Sequence, residues 1–292
     1  MLFYSRYLPT HVTLGSGSYG SVSLYIRVSD NVKVAVKKIR NDKVFFYFKD
    51  HNECFKPLEV EILNQVKHIH SCIEILDYLV CKDQHVIVME YFENSLNLHN
   101  CLDEINKFNE KDAGMIFVQI VSTMLLLQSK DISHNDISLA NVLLVRCSGD
   151  SPLIKLIDFG LANFRSVLDR HNSYAPGTEF YLPPNNRDCL YSAAESWSLG
   201  VILGCLTCGL SKIYKPAHDY FCGDKKNQEI GAKKIRRIIL SEALRRHDVS
   251  TFTYQLLERL MTYNNNAGVS ADVKYGIYVD ASDYYLKRNS HS

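Results

Sequence analysis

Apolar residues in the first hundred positions recur with the period of a strand. Short runs rich in Val, Ile and Tyr, namely HVTLG (11–15), SVSLYIRV (21–28), VKVAVKKI (32–39), YLVC (78–81) and HVIVMEYF (85–92), are separated by turn residues, which predicts a mostly antiparallel sheet. One segment breaks this rhythm. PLEVEILNQVKHI opens on Pro57, whose missing N–H costs nothing at a helix start, and it sets Leu58, Ile62, Leu63 and Val66 on one face. Beyond about residue 95 the period becomes helical. EKDAGMIFVQIVSTMLLLQSKDI (110–132) is apolar enough for a buried helix, and AAESWSLGVILGCLTCG (193–209) predicts a second, ended by Gly209. In KKIRRIILSEALRRHD (233–248), Ile235, Ile238, Ile239 and Leu244 predict an apolar stripe with Lys and Arg on a solvated opposite face. The simplest architecture is α+β and bilobal, within a single domain. A small antiparallel-sheet N-lobe with one main helix, residues 1–92, joins near EYFENS to a larger helical C-lobe, residues 93–292.

Composition narrows the class. A chain of 292 residues that is 46% apolar and 22% charged can bury a substantial core, and neither a low-complexity block nor a fixed-period repeat interrupts it. The formal net charge of +1 lacks the footprint of a nucleic-acid binder, so no nucleic-acid partner is expected. The N-terminus has Arg6 and no apolar h-region. The longest apolar run, around VILGCLTCGL, is too short to span a bilayer, so no membrane partner is expected either. Nine cysteines without framework spacing point to free thiols in a reducing compartment, cytoplasmic or nuclear. Cys205 and Cys208 form a CxxC inside an apolar helical stretch with no second ligand pair, which favours core packing over metal binding.

Candidate chemistry begins with LGSGSYGSV (14–22). Gly15, Gly17 and Gly20, followed by Val22, would let backbone N–H groups approach phosphate oxygens with no Cβ in the way. The same spacing occurs in dinucleotide-binding folds and in tight turns. A dinucleotide fingerprint opens a helix, however, whereas the strand-like VSLYIRV follows here, so a hairpin over a nucleotide is predicted. VAVK then places Lys37 on the next strand as a point charge for phosphate, unless it is simply a surface lysine. A carboxylate partner would discriminate. Glu59 is the best placed, one turn before Leu63 on the inward face of the predicted helix, with Glu61 as the competitor. Further on, ISHNDISLANVLL (132–144) sets His134, Asp136 and Asn141 in the spacing H-x-D-x-x-x-x-N, which suits a proton-accepting Asp and a metal-holding Asn. DFG follows at 158–160, with Asp158 as a second oxygen donor for a hard cation such as Mg²⁺.

Taken in order, these motifs resemble those of a eukaryotic-type serine/threonine protein kinase from Val12 to about Leu286, with GTEFYLPPN (177–185) and ESWSLG (195–200) as further landmarks. Within that group the chain is most similar to the PIM and calcium/calmodulin-type kinases, on PLEVEILNQV, IKLIDFGLA and the paired Pro183 and Pro184. The resemblance implies transfer of the γ-phosphoryl group of ATP to protein hydroxyls, with Mg²⁺. It assigns Asp136 as base, Lys37 and Glu59 as the phosphate-side ion pair, and Asn141 and Asp158 as metal ligands. It further implies nucleotide contacts from Leu14, Gly15, Ser16, Gly17, Ser18, Tyr19, Gly20, Val22, Ala35 and Leu143, with Met89 as gatekeeper and Glu90 and Phe92 offering backbone groups to adenine. Protein substrates and a monomer are expected.

Several positions depart from the family pattern. Asn135 replaces the Arg with which many kinases grip an activation-loop phosphate, so activity is expected not to need phosphorylation of Ser166, Ser173 or Tyr174. Ser138 stands where a Lys usually stabilises the transferring group, and Ala140 supplies no substitute. Loss of such a cation costs about 10²–10³ in rate in analogous sites. That makes a pseudokinase scaffold the alternative, although Lys37, Glu59, Asn141, Asp158 and the bridging Thr178 are all retained. A small-molecule kinase fits less well, because GTEFYLPP resembles a peptide-positioning segment. Asn185 and Gly268 fall where the family has a buried Glu–Arg pair, so both partners are lost together. Glu195 replaces the usual Asp and keeps a carboxylate for catalytic-loop N–H groups. Asn97, Asn100 and Ala140 occupy places that are acidic in PIM-like enzymes, so a basic-substrate preference is not expected. The relaxed motifs, and the absence of any regulatory domain in this chain, are of the kind found in kinases acquired by large DNA viruses.

Overall fold

In the computed structural model, the residues described are 2–17, 20–49, 53–145, 152–168, 176–184, 191–218, 225–262, 280 and 284. The chain divides into two compact units, residues 1–94 with 158–162, and residues 95–157 with 163 onward.

The first unit opens with a short helix α1 (Leu2–Arg6) and continues through strands β1 (Tyr7–Gly17), β2 (Gly20–Arg27) and β3 (Lys33–Arg40). A small hairpin, β4 (Tyr47–Lys49) with β5 (Phe55–Pro57), leads into helix α2 (Leu58–Val66), and β6 (Ile75–Cys81) and β7 (Gln84–Glu90) complete the unit. The main sheet has the order β1-β2-β3-β7-β6, and every pairing is antiparallel. Strand alternation sorts its two faces. Val34, Val36, Val86 and Val88 turn to one side and form a core with Tyr25, which Phe3 and Tyr7 cover. Phe3 lies on α1 and Tyr7 opens β1, and their rings stack with centroids 5.4 Å apart. This cover was not apparent from the sequence, because five residues are too few to show a helical period. Val22, Ala35, Lys37 and Met89 share the other face, since Val22 pairs with Lys37 and Ala35 pairs with Met89. The predicted helix forms one residue later than expected, from Leu58 with Pro57 as its N-cap, and Leu58, Ile62, Leu63 and Val66 are all buried.

The second unit contains β8 (Ser95–Asn97), α3 (Leu98–Ile105), α4 (Glu110–Ser129), β9 (Ile132–Ser133), β10 (Val142–Val145), β11 (Leu153–Leu156), β12 (Asn163–Phe164), α5 (Arg165–Leu168), α6 (Tyr191–Cys208), α7 (Leu210–His218), α8 (Lys225–Arg245) and α9 (Thr251–Leu260). Side chains start three of these helices by accepting a backbone N–H: Asn97 from Asn100, Asn109 from Asp112 and Ser250 from Thr253. Asn97 is thereby a helix cap. Gly209 ends α6 with φ +103°, a conformation that glycine adopts without strain.

Two expectations change. Leu244 does not belong to the apolar stripe of α8: it is 73% exposed, whereas Ile235, Ile239 and Ala243 are buried. Nine residues at about 100° each carry Leu244 to the side opposite Ile235, while four-residue steps keep Ile239 and Ala243 beneath it. The longest apolar stretch is α4 rather than VILGCLTCGL. Among the described residues it is the one helix long and apolar enough to cross a membrane, and more than half of it is buried inside the unit. Cys205 and Cys208 are buried on α6, as a packing role requires, and burial pushes both thiols up, that of Cys208 to about 11.

Candidate active site

In the first unit, the alternation of β3 points Lys37 to the face that α2 also serves. Its Nζ lies 2.7 and 2.9 Å from the two carboxylate oxygens of Glu59 and 2.8 Å from Oδ1 of Asp158. Lys37 and Glu59 are buried, whereas the Asp158 side chain is 42% exposed. Burial works against the charge on Lys37, but the Glu59 and Asp158 carboxylates outweigh it and hold the ammonium ionised. Burial raises the pKa of Glu59, Lys37 opposes that shift and Asp158 adds to it. Glu61, the competing choice, instead pairs with Lys56 at 2.7 Å.

The glycines of the β1–β2 hairpin fall into two kinds. Gly20 has φ +148°, and a Cβ there would lie 2.3 Å from the Lys38 carbonyl oxygen, so the fold itself demands glycine. A Cβ on Gly15 or Gly17 would meet nothing within 4 Å. Packing within the protein places no demand on those two. Ser18 and Tyr19 lie outside the described residues. Leu14 is exposed, and Met89 is buried on β7 opposite Ala35. The N–H of Glu90 is committed to the Glu74 carbonyl at 3.0 Å and its side chain accepts from the Glu74 N–H, so its amide is not available to a ligand. Phe92 follows β7 and is half-buried.

In the second unit, Asp136 is held from three directions. Oδ1 accepts the hydroxyl and the backbone N–H of Thr178, each at 2.8 Å, and Oδ2 accepts Nδ2 of Asn141 at 2.9 Å. Behind it, His134 is fully buried. Its Nε2 lies 3.1 Å from the Ile157 carbonyl and its Nδ1 lies 3.3 Å from the Asp136 N–H. A carbonyl can only accept and an amide N–H can only donate, so the ring is the Nε2–H tautomer. His134 therefore anchors the backbone that presents Asp136. Gly177 (φ +139°) lets its segment approach, since a Cβ would sit 2.7 Å from the Asn135 carbonyl oxygen. Glu195 performs the role expected of it: Oε1 accepts the Ser133 hydroxyl at 2.8 Å and the His134 N–H at 3.0 Å. Leu143 sits on β10 opposite Asn97 and Lys155, and Ser138 is buried.

In the first unit Asp158 keeps a half-exposed carboxylate, an oxygen donor of the kind a hard cation takes. In the second, Asn141 spends its amide nitrogen on Asp136 and leaves its amide oxygen without a hydrogen-bonding duty to that residue. No group of three or more His, Cys, Asp or Glu that could hold a metal ion occurs among the described residues.

Residues 8–273 match the protein kinase domain. The chain belongs to the protein kinase domain family. Over 201 residues, 68% of its length, it is 33% identical to human NUAK family SNF1-like kinase 1 and 35% identical to rat NUAK family SNF1-like kinase 2. It spans only 29% and 30% of the lengths of those two relatives. The antiparallel-sheet unit and the helical unit are those expected of a kinase domain. The first unit of this kinase domain brings Lys37, Glu59 and Asp158 together, and the second brings Asp136, Asn141 and Thr178 together. Ser173, Tyr174, Asn185 and Gly268, which bear on activation-loop phosphorylation and on the missing Glu–Arg pair, lie outside the described residues. One contact escaped the sequence reading altogether. Arg165, seven positions after Asp158, reaches Glu195 with Nη1 3.5 Å from Oε2.

Proposed function

We propose that the chain is a protein serine/threonine kinase that transfers the γ-phosphoryl group of ATP to protein hydroxyls. The observation that supports this reading best is the state of Asp136. Its carboxylate is oriented by Thr178 and Asn141 and sits on a backbone pinned by His134 and Glu195. A carboxylate so fixed can take the proton of an attacking hydroxyl. As that oxygen bonds to the γ-phosphorus, the bond from phosphorus to the β–γ bridging oxygen breaks, ADP leaves, and the proton passes to Asp136. Lys37, locked between Glu59 and Asp158, offers a fixed positive charge to phosphate. Asn141 and Asp158 each offer an oxygen to Mg²⁺, which would neutralise phosphate charge. The glycines that packing does not require, Gly15 and Gly17, leave room for phosphate beside the β1–β2 hairpin.

Retention of these groups weighs against a pseudokinase, while Ser138 without a cation argues for a slow enzyme. The PIM and calcium/calmodulin-type likeness, the viral origin and the reducing intracellular setting are our finer reading of the motifs and free thiols. The uncharged Asn97 and Asn100 support acceptors without a basic-residue requirement.

The test is phosphoryl transfer from Mg·ATP to a generic protein substrate by the pure wild type and by Asp136→Asn. Transfer by the wild type that vanishes in Asp136→Asn is expected. Absence of transfer in both, with nucleotide still bound, would reject the enzyme.

A further inference from the structure

Glu195 is buried on α6, and its two oxygens serve different segments. Oε1 holds the Ser133 hydroxyl and the His134 N–H of the catalytic loop, at 2.8 and 3.0 Å. Oε2 faces the Arg165 guanidinium at 3.5 Å, and that side chain is only 18% exposed. Burial drives Glu195 toward protonation. The Arg165 cation is the leading influence opposing that shift, ahead of the Ser133 hydroxyl and the N–H groups of His134 and Asn135.

The backbone around this pair is knitted in register. Asn163 pairs with Ser133 and Phe164 with Ile132, so β12 lies against β9 immediately before Arg165. The Arg165 N–H donates to the Asp131 carbonyl at 2.7 Å, and the Ser166 N–H and hydroxyl both donate to the Asp131 carboxylate. Asp131 itself has φ +62°. The segment after Asp158-Phe159-Gly160 is therefore fastened to the catalytic loop by a short ladder, a turn and one ion pair buried on its Glu195 side, all formed by unmodified residues. Position 135, by contrast, is Asn and supplies no cation to the catalytic loop.

We propose that Arg165 is a positioning residue. Through Glu195 it holds the Ser133–His134 backbone, and hence Asp136, in the working geometry, so that a cation carried by the post-DFG segment does without phosphorylation what a phosphate-gripping Arg at 135 cannot do here. This rests on the kinase reading, and two separate readouts keep the ideas apart. A displacement of the base of about 1 Å is enough to lose on the order of 10² in rate.

The experiment compares wild type, Arg165→Met, Arg165→Lys and the double variant Arg165→Met/Glu195→Gln in the full chain. It measures kcat, the KM for ATP and the amide hydrogen exchange of residues 132–136. Expected are a loss of about 10²-fold in kcat for Arg165→Met with the KM for ATP within about twofold, faster exchange at 132–136, and recovery of most of both in Arg165→Lys. The double variant, which has no buried charge left unpaired, should recover part of the rate. Phosphatase treatment should leave wild-type kcat unchanged. Unaltered exchange in Arg165→Met overturns the proposal whatever the rate. So does a kcat within twofold of wild type, a collapse of kcat and KM together that Lys does not rescue, or inactivation of the wild type by phosphatase. If the wild type transfers no phosphate while the exchange difference persists, the kinase reading fails and the tether stands.

Discussion

Thr178 meets Asp136 twice, the hydroxyl and the backbone N–H of one residue both donating to Oδ1 at 2.8 Å. The pair spans 42 positions of sequence and fixes which way the carboxylate faces. Because the N–H cannot be removed by substitution, Thr178→Val deletes only one of the two bonds. A hydrogen bond to a charged group is worth roughly 1.5–3 kcal/mol when buried and less at an exposed position such as this. We expect kcat to fall about tenfold in Thr178→Val, with the KM for ATP unchanged and Thr178→Ser near wild type. Steady-state kinetics with a protein substrate decide this, and an unchanged kcat in Thr178→Val would show that the backbone bond suffices.

Lys37 makes a second prediction, about stability. Lys37→Met leaves Glu59 buried without its counter-charge, and breaking a buried pair from one side costs about 3–5 kcal/mol. Making Glu59 neutral as well removes the stranded charge, so Lys37→Met/Glu59→Gln should be more stable than Lys37→Met alone. Urea unfolding followed by far-ultraviolet circular dichroism measures both. Equal midpoints for the single and double variants would mean that Glu59 escapes its burial by protonation.

The two kinds of glycine in the β1–β2 hairpin should separate under substitution. Gly20→Ala forces a side chain into φ +148° and against the Lys38 carbonyl oxygen, 2.3 Å away, and should lower stability by about 1–3 kcal/mol. Gly15→Ala and Gly17→Ala meet no protein atom, so their melting temperatures should match wild type while the KM for ATP rises. A Gly17→Ala variant that melts early with ATP affinity intact would reverse this assignment.

His85 supplies a pH dependence. It is buried on β7, its Nδ1 lies 2.8 Å from the Tyr78 hydroxyl, and burial holds its pKa below the ordinary 6.5. The folded state therefore binds a proton more weakly than the unfolded chain. The associated stability is complete above pH 6.5 and is lost as pH falls through the lower folded value. Melting temperature should drop as the pH is lowered from 7 to 5, and the drop should shrink in His85→Asn. Parallel curves for the two proteins would assign the acid sensitivity to other groups.

Much of the chemistry was legible in the sequence because it is written in short-range spacing. The interval between Asp136 and Asn141, the strand position of Lys37 and the helical phase that favours Glu59 over Glu61 all follow from backbone periods, which neighbouring residues determine. Leu244 shows where that reasoning stops. An apolar residue marks a face only when its phase agrees with its neighbours, and nine residues from Ile235 it does not. The cover of Phe3 and Tyr7 on one sheet face, the second carboxylate on Lys37 and the reach of Arg165 to Glu195 have no signal in local pattern. The last two depend on where the chain returns after tens of residues, 121 for Lys37 and Asp158 and 30 for Arg165 and Glu195. Spacing in the sequence therefore named the candidate catalytic groups. The tertiary path, by burying charges that must then find partners, added the holding contacts that have no local signal, Asp158 on Lys37 and Arg165 on Glu195.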